Sequence, residues 1–318
     1  MIDGKTVVVT VPAYNEGRLI RRTLATIPEF VDGIIVVDDK SEDSTLAEAK
    51  AAAVDDARIY IIERDKNGGV GAAIVDGYRA FLRGEGDICV VMAGDAQMDP
   101  DDLAHLLAPL VEDRCDYAKG NRLLTRDVAK VMPKDRYLGN IIFTALTKWA
   151  SGYWHVVDSQ CGYTAVSRAT LQNLDLDAVF TGYGVPNDLL IRLNVAQARV
   201  CDVPVRAIYG EEVSGIQPFT TIPRISMILI KGFWWRMWQR YVLRDFHPLV
   251  LLYAFGFLLV LLGLMGGFWL TLQRVLFDHS ITSATVVLDA LCLLIGFQSV
   301  LFAMTFDMLH NADLKVRS

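Results

Sequence analysis

The chain has 318 residues, 53% of them hydrophobic and 21% charged, with a mean hydropathy of +0.31, a formal net charge of −6 and a sequence pI near 5.4. That length suits about two domains and a real core without a disulfide or metal staple. The hydropathy is high for a wholly soluble protein, the charged fraction is too large for a wholly membrane one, and the acidic balance excludes a general nucleic-acid binder.

The five cysteines (Cys89, Cys115, Cys161, Cys201, Cys292) are odd in number and scattered, with no CxxC. This argues against a disulfide framework or a zinc site and suits a reducing compartment. The opening MIDGKTVVVTV has too short an apolar stretch for a signal peptide, so the amino-terminal part is expected to stay in the cytoplasm.

Residues 1–223 alternate short apolar runs with helical patterns. Thr6–Val11, Gly33–Val37, Arg58–Ile62 and Ile88–Met92 read as β-branched, near-continuous buried strands, and Arg18–Phe30, Ser44–Val54, Val70–Arg83 and Pro100–Asp113 as helices. Strands apolar on both faces, alternating with helices, predict an α/β domain: a Rossmann-like, mostly parallel sheet flanked by helices. Ligands of such sheets sit at the carboxyl ends of the strands.

From Ile225 to Phe246 the composition changes. Arg236, Arg240 and Arg244 recur every four residues, and Phe233, Trp234, Trp238 and Tyr241 surround them. A helix over 224–247 lying in a membrane interface fits this pattern, as does a helix packed on the soluble domain. Pro248–Leu272 then runs 25 residues without a charge, and Thr285–Phe306 is interrupted only by Asp289. Two transmembrane helices within 248–306 are expected, the alternative being a buried hairpin of a soluble protein. Basic residues precede the first span and follow the second, at Lys315 and Arg317, so both termini, including the tail 307–318, are expected on the cytoplasmic side.

Polar groups follow every one of the four strands: Pro12-Ala13-Tyr14-Asn15-Glu16, then Asp38-Asp39-Lys40-Ser41-Glu42-Asp43-Ser44-Thr45, then Asn67-Gly68-Gly69-Val70-Gly71-Ala72, then Ala93-Gly94-Asp95-Ala96-Gln97-Met98-Asp99-Pro100. Each has a plain structural explanation: Asp43 or Ser44 as a helix cap, Gly68–Gly71 as a turn, Asp99-Pro100 as a cap followed by a first-turn proline. Together they converge on one end of the sheet, as a nucleotide site requires. No GxGxxG follows the first strand and no Gly-Lys-Ser/Thr occurs, which excludes the dinucleotide fingerprint and the P-loop.

The ensemble resembles the GT-A fold of family 2 inverting glycosyltransferases, through Val-Pro-Ala-Tyr-Asn-Glu at 11–16, Val-Val-Asp-Asp-x-Ser-x-Asp-x-Thr at 36–45 and Asn-x-Gly-x-Gly-Ala at 67–72. Ala93-Gly94-Asp95 fills the family's Asp-x-Asp place. Over residues 5–215 the chain is most similar to the polyprenyl-phosphate sugar synthases of the dolichyl-phosphate mannose synthase type, whose Asp-Leu-Gln-x-Pro-Pro aligns with Asp95–Pro100. Those enzymes also join a GT-A domain to interfacial and transmembrane helices.

The resemblance implies that Pro12, Tyr14 and Glu16 line the nucleoside pocket, that Asp38 or Asp39 bonds the base or ribose, and that Gly68 and Gly69 let backbone pass close to the nucleotide. Asp95 and the Gln97 amide oxygen are hard ligands suited to Mg²⁺ or Mn²⁺. The alanine at 93 removes one carboxylate of the family's pair. Arg122, in Lys119-Gly120-Asn121-Arg122, and Arg136, in Asp-Arg-Tyr-Leu-Gly-Asn, resemble arginines that face the acceptor phosphate, a task for which a guanidinium's fixed charge and fork suit it. Asp158–Tyr163 resembles a stretch near the sugar pocket. Asn187-Asp188 stands where many relatives carry a catalytic base, and Asp188 either orients the sugar or caps a helix over Leu189–Val195. Glu211 and Glu212 replace basic residues of the synthases.

The expected activity is transfer from a UDP- or GDP-linked sugar to a polyprenyl (dolichyl or undecaprenyl) phosphate at the lipid bilayer, dependent on Mg²⁺ or Mn²⁺. A hydroxyl acceptor, with Asp188 as base, and a non-catalytic nucleotide-binding scaffold are the alternatives. Oligomeric state is left open, a homo-oligomer included.

Overall fold

The computed structural model describes residues 1–124, 134–206, 208 and 218–316, with side chains omitted at 134–138, 140 and 218–221. The chain forms two compact units: residues 1–234 together with 313–318, and residues 235–312.

The first unit is built on a seven-stranded sheet. Its strands are β1 (Val7–Ala13), β2 (Gly33–Asp38), β3 (Ile59–Glu63), β4 (Ile88–Val91), β5 (Tyr117–Asn121), β6 (Thr164–Ser167) and β7 (Val200–Pro204), in the order β3-β2-β1-β4-β6-β5-β7. Only β6 runs against its neighbours; β1 pairs in parallel with β2 and β4, and β5 with β7. The carboxyl ends of all strands but β6 therefore share one edge. The expected strands are present, with β1 extending two residues further to include Pro12 and Ala13. Val7, Val9 and Val11 point to one core layer together with Ile34, Val36 and Val90, while Val37, Cys89 and Val91 join a second layer on the opposite face. A two-sided core is what continuous β-branched runs produce.

Helices α1 (Ile20–Thr26), α2 (Thr45–Asp55), α3 (Val70–Arg83) and α4 (Leu103–Val111) fill the connections between the first strands. The bounds of α3 coincide with those its periodicity predicts. After β5 come α5 (Lys134–Ser151), α6 (Arg168–Gln172) and α7 (Val185–Val195). The last helix begins four residues before the expected Leu189, with Pro186 in its first turn. From α8 (Pro218–Trp238) the backbone loosens into a π-helix over Gln239–Arg244.

The second unit contains α9 (Leu249–Phe277) and α10 (Ser283–His310), both long and apolar enough to cross a membrane. They exceed the expected spans at both ends. Gly256 and Gly296 let the two backbones touch: a methyl on either would lie within about 3 Å of the other's carbonyl oxygen, 2.9 and 3.0 Å respectively. Small residues at a crossing are the usual device of helices in lipid. Asp289 rests against Gly266 and Gly267 of α9.

Two expectations about this region need correction. The arginine stripe is not one continuous solvent or lipid face, because Arg236 and Arg240 are buried and only Arg244 is exposed. Arg236 forks onto Asp307 at 2.8 and 3.0 Å. Nor is 307–318 a separate tail. Helix α10 runs to His310, Leu314 is buried in the second core layer of the sheet, and Lys315 forms a parallel bridge to Val200 on the outer strand β7.

Candidate active site

The loops after β1 and β2 are sewn together by side chains of the 41–45 motif. Ser41 Oγ accepts from the Asn15 N–H (3.0 Å), Thr45 Oγ1 from the Glu16 N–H (2.7 Å), and Asp43 from the N–H groups of Gly17 and Thr45 (both 2.9 Å). Burial alone would push the Asp43 carboxyl up, but a bond from the Thr45 hydroxyl together with these backbone bonds outweighs it and holds it below the usual range. Helix α2 is thus capped by Asp43, with Ser44 making no side-chain cap. Tyr14 stays exposed, Glu16 is half-buried and Pro12 is buried in β1.

Asp38 and Asp39, both buried, separate clearly. Asp39 receives the N–H groups of Gly68 (2.9 Å) and Gly69 (2.8 Å) and the guanidinium of Arg64, so both its oxygens hold the turn into α3. Asp38 Oδ2 accepts from the Ser41 N–H (3.1 Å), while its buried Oδ1 has no partner among the described residues. An unmet buried acceptor is costly unless a ligand satisfies it.

The glycines after β3 have an internal reason that the resemblance did not supply. Gly69 has φ +89°, and a methyl there would lie 2.7 Å from the Thr181 carbonyl oxygen; one on Gly71 would lie 2.4 Å from that of Phe180. The Gly71 N–H donates to Thr181 O at 2.8 Å. What passes close to these glycines is the 180–182 segment. At Gly68 a methyl would meet the Arg64 guanidinium instead.

Beyond β4 and β5 a small cleft is lined by Asp95, Gln97, Arg122, Cys161, Tyr163 and Arg206, among others. It brings together three of the residues singled out in the sequence. Asp95 Oδ1 accepts the Gln97 N–H at 3.1 Å, and no described residue bonds its Oδ2. Burial raises the Asp95 carboxyl above its ordinary value, which a bound cation would reverse. A carboxylate oxygen and an amide oxygen at a polar cleft form a donor set that suits a hard divalent ion whose remaining ligands come from elsewhere. Among the described residues no group of three acidic, histidine or cysteine side chains is placed to hold a metal ion. Asp99 is used as a cap, accepting the Asp101 N–H, and pairs with Arg206 at 3.1 Å.

Arg122 is held from behind. Its Nε donates to Asp158 Oδ2 (2.7 Å) and its Nη2 to Asp158 Oδ1 (3.0 Å), and the carboxylate is fully buried. Burial pushes the Asp158 carboxyl up, but Arg122 and Lys119 more than offset this and keep it low. Lys119, itself fully buried, donates to Cys161 O at 2.5 Å, and burial lowers its ammonium pKa. Arg136 falls in the first turn of α5, where side chains lie outside the described residues, as do Glu211 and Glu212.

Asp188 does not reach this cleft as an open base and does not cap a helix start. It lies inside α7, buried, where Oδ2 accepts the Phe180 N–H (2.9 Å) and Arg192 Nε (2.7 Å). Asn187 beside it takes bonds from Thr147 (2.8 Å) and Gln160 (2.9 Å). Two supporting residues escaped the sequence reading. Arg64, which bridges Asp39 and Asp76, follows β3 at the same strand end as the other motifs. Asp202 is a lone carboxylate in the buried strand β7, and either position was a signal.

A family model described as glycosyl transferase family 2 matches residues 8–174. UDP-N-acetylglucosamine–dolichyl-phosphate N-acetylglucosaminyltransferase of Methanococcus voltae is 29% identical over 220 residues, 65% of this chain and 87% of its own length. Undecaprenyl-phosphate mannosyltransferase of Micrococcus luteus is 27% identical over 215 residues, 64% of this chain and 84% of its own. Among solved structures, glucosyl-3-phosphoglycerate synthase from Mycobacterium tuberculosis in complex with Mn²⁺, UDP and glucosyl-3-phosphoglycerate superposes with a TM-score of 0.56 at 22% identity, over 73% of this chain and 80% of that one. The structural likeness establishes a shared fold.

Proposed function

The chain belongs to glycosyl transferase family 2, and from that we infer that it moves a sugar from a UDP-linked donor to a polyprenyl phosphate at a membrane, with inversion at the anomeric carbon. The relatives named above support the acceptor class, and the first of them, together with the UDP-bound neighbour, the nucleotide.

The observation that carries the reading is the condition of the residues at the place of a catalytic base. A sugar hydroxyl needs a group to take its proton. Asp188 is buried, with its Oδ2 bonded to Arg192 and the Phe180 N–H, and Asn187 cannot ionise. A phosphate monoester is already anionic near neutral pH, so it needs guidance by charge and no base. Arg122 offers that charge in the same cleft as Asp95. Asp95 Oδ2 and the Gln97 amide oxygen would hold Mg²⁺ or Mn²⁺, which when bound neutralises the departing diphosphate. Asp38 Oδ1, which has no partner among the described residues, takes the donor's base or ribose. Asp39 keeps the glycine turn in place. The catalytic unit is on the cytoplasmic side, by the excess of basic residues flanking the hairpin.

The test uses the purified full chain with Mn²⁺ or Mg²⁺ and a panel of radiolabelled nucleotide sugars, scored by label entering an organic phase. Label from a UDP sugar should appear only when polyprenyl phosphate is added and should vanish in Asp95→Ala. Label that requires a hydroxyl-bearing glycolipid, and ignores the lipid phosphate, would overturn the acceptor assignment.

A further inference from the structure

The turn that follows β3 is completed by backbone from a distant part of the chain. Helix α3 begins after Gly69 with no side chain capping it. The first N–H groups of a helix need acceptors from outside it. Here the Thr181 carbonyl oxygen is that acceptor, receiving the N–H groups of Gly71 (2.8 Å) and Ala72 (3.2 Å). A glycine-rich turn opening a helix is otherwise a ready seat for phosphate. In this chain two of its donors are already taken.

Residues 179–184 carry no helix or strand of their own and lie between a short 3₁₀ turn, Leu176–Ala178, and α7. Polar contacts hold them from both sides. On the α3 side Arg79 pairs with Asp177, an ion pair open to water. On the α7 side Asp188 Oδ2 takes the Phe180 N–H at 2.9 Å and Arg192 Nε at 2.7 Å, while Arg192 Nη2 donates to Ala178 O. Exposed pairs contribute little and buried charge-assisted bonds considerably more. The hold on this segment therefore rests on Asp188, whose residue is 7% exposed.

The segment has no slack where it meets the turn, since nothing larger than hydrogen fits at Gly69 or Gly71 against it. From below, the same turn is fixed by Asp39, which takes the N–H groups of Gly68 and Gly69. Asp39 is the chain neighbour of Asp38, whose buried Oδ1 has no partner among the described residues. A displacement at residues 180–182 is thus passed through Gly71 and Gly69 to Asp39, and from there to Asp38.

We propose that Asp188 is a positioning residue for the donor nucleotide. By holding Phe180 it keeps the Thr181 carbonyl on the start of α3 and so fixes the turn behind Asp38. The proposal rests on the assignment of Asp38 to the nucleoside, and it gives Asp188 the task of an acceptor in place of a base. An amide oxygen accepts an N–H as a carboxylate does, but it does not take up a proton near neutral pH. The two tasks therefore part at Asp188→Asn.

The test measures binding of UDP to the purified full chain with Mn²⁺ by titration calorimetry, beside sugar transfer to polyprenyl phosphate. Asp188→Ala should weaken UDP binding about tenfold. Asp188→Asn should bring UDP affinity and kcat back to within about threefold of the wild-type values, because the Phe180 N–H keeps an acceptor. Gly71→Ala, whose methyl pushes on the Phe180 carbonyl oxygen, should also weaken UDP about tenfold, and adding Asp188→Ala to it should weaken it little further. Gly71→Ala leaves Asp188 and Arg192 in place, so it tests the link even where Asp188→Ala fails to fold. Wild-type UDP affinity in Asp188→Ala or in Gly71→Ala would overturn the proposal, whatever the change in melting temperature. Losses that multiply in the double variant would show that the two residues act separately, which also refutes it. A fall in transfer of about 100-fold or more in Asp188→Asn, with UDP binding intact, would make Asp188 a base and remove the phosphate acceptor along with the proposal. A wild-type chain that binds no UDP would refute the donor assignment itself.

Discussion

Each unit of the molecule buries an arginine–aspartate fork, and the two forks are put to different use. In the catalytic unit Asp158 is fully buried while Arg122 keeps 22% of its side chain open and lines the cleft. In the second unit Arg236 and Asp307 are both at 0% exposure, and Asp307 also accepts from Tyr241 Oη (2.7 Å) and Asn311 Nδ2 (3.0 Å). A pair closed at both ends fixes one helix against another and can do nothing else. A pair closed only at its carboxylate end holds a cation in one orientation while leaving it within reach of an anion. The same two residue types thus make an anchor in one place and an aimed charge in the other, and burial of the arginine decides which.

The contrast can be broken most sharply at the closed pair. Asp307→Ala strands Arg236 in the interior, and the loss of unfolding free energy in detergent should be about 3–5 kcal/mol. The double replacement Arg236→Met with Asp307→Leu should recover most of it, since two apolar side chains avoid the desolvation cost that the pair only offsets. If the single replacement costs less than about 1 kcal/mol, as surface pairs do, the closed description fails.

At the open pair the larger effect should be on turnover. Arg122→Lys keeps the charge but loses the fork to Asp158, and lipid-linked product formation should fall about 100-fold, or about 2.7 kcal/mol, with little change in melting temperature. A fall in stability as large as that of Asp307→Ala would make Arg122 another anchor.

A smaller test reads the neighbourhood of the open pair by pH. Burial raises the Asp202 carboxyl from 3.8 to about 6, partly opposed by the Val157 N–H, Lys119 and Asn121. Its Oδ1 has no partner among the described residues. Between these two values the folded chain holds a proton that the unfolded chain has released. Stability from this group is therefore greatest below pH 3.8, falls as pH rises to about 6, and is flat above, a change of about 2–3 kcal/mol. Asp202→Asn should flatten that slope in unfolding measured between pH 4 and 7.

How much of this the sequence disclosed follows from the range of the interactions concerned. Strands β1, β2 and β4 lie inside the sheet, where β-branched runs are forced by burial, and α3 carries its own period, so both were legible. The convergence of Asp95, Gln97 and Arg122 followed from strand ends sharing an edge. The burial of Arg236 and Arg240 was hidden for two reasons: Asp307, the partner of Arg236, is 71 residues away, and the π-helix after Trp238 changes the period on which an every-fourth-residue stripe depends. The glycines at 69 and 71 show only as a turn until the 180–182 backbone is seen against them. Asp188 was misplaced by one helical turn because α7 begins at Val185, ahead of its apolar run.

The bridge between Lys315 and Val200 sets an order of assembly. The outer edge of β7 is met by residues that lie beyond both long apolar helices, while every strand of the sheet lies before them. The edge can be closed only after both long helices have been synthesised, so the sheet that begins the chain is finished by residues that follow them.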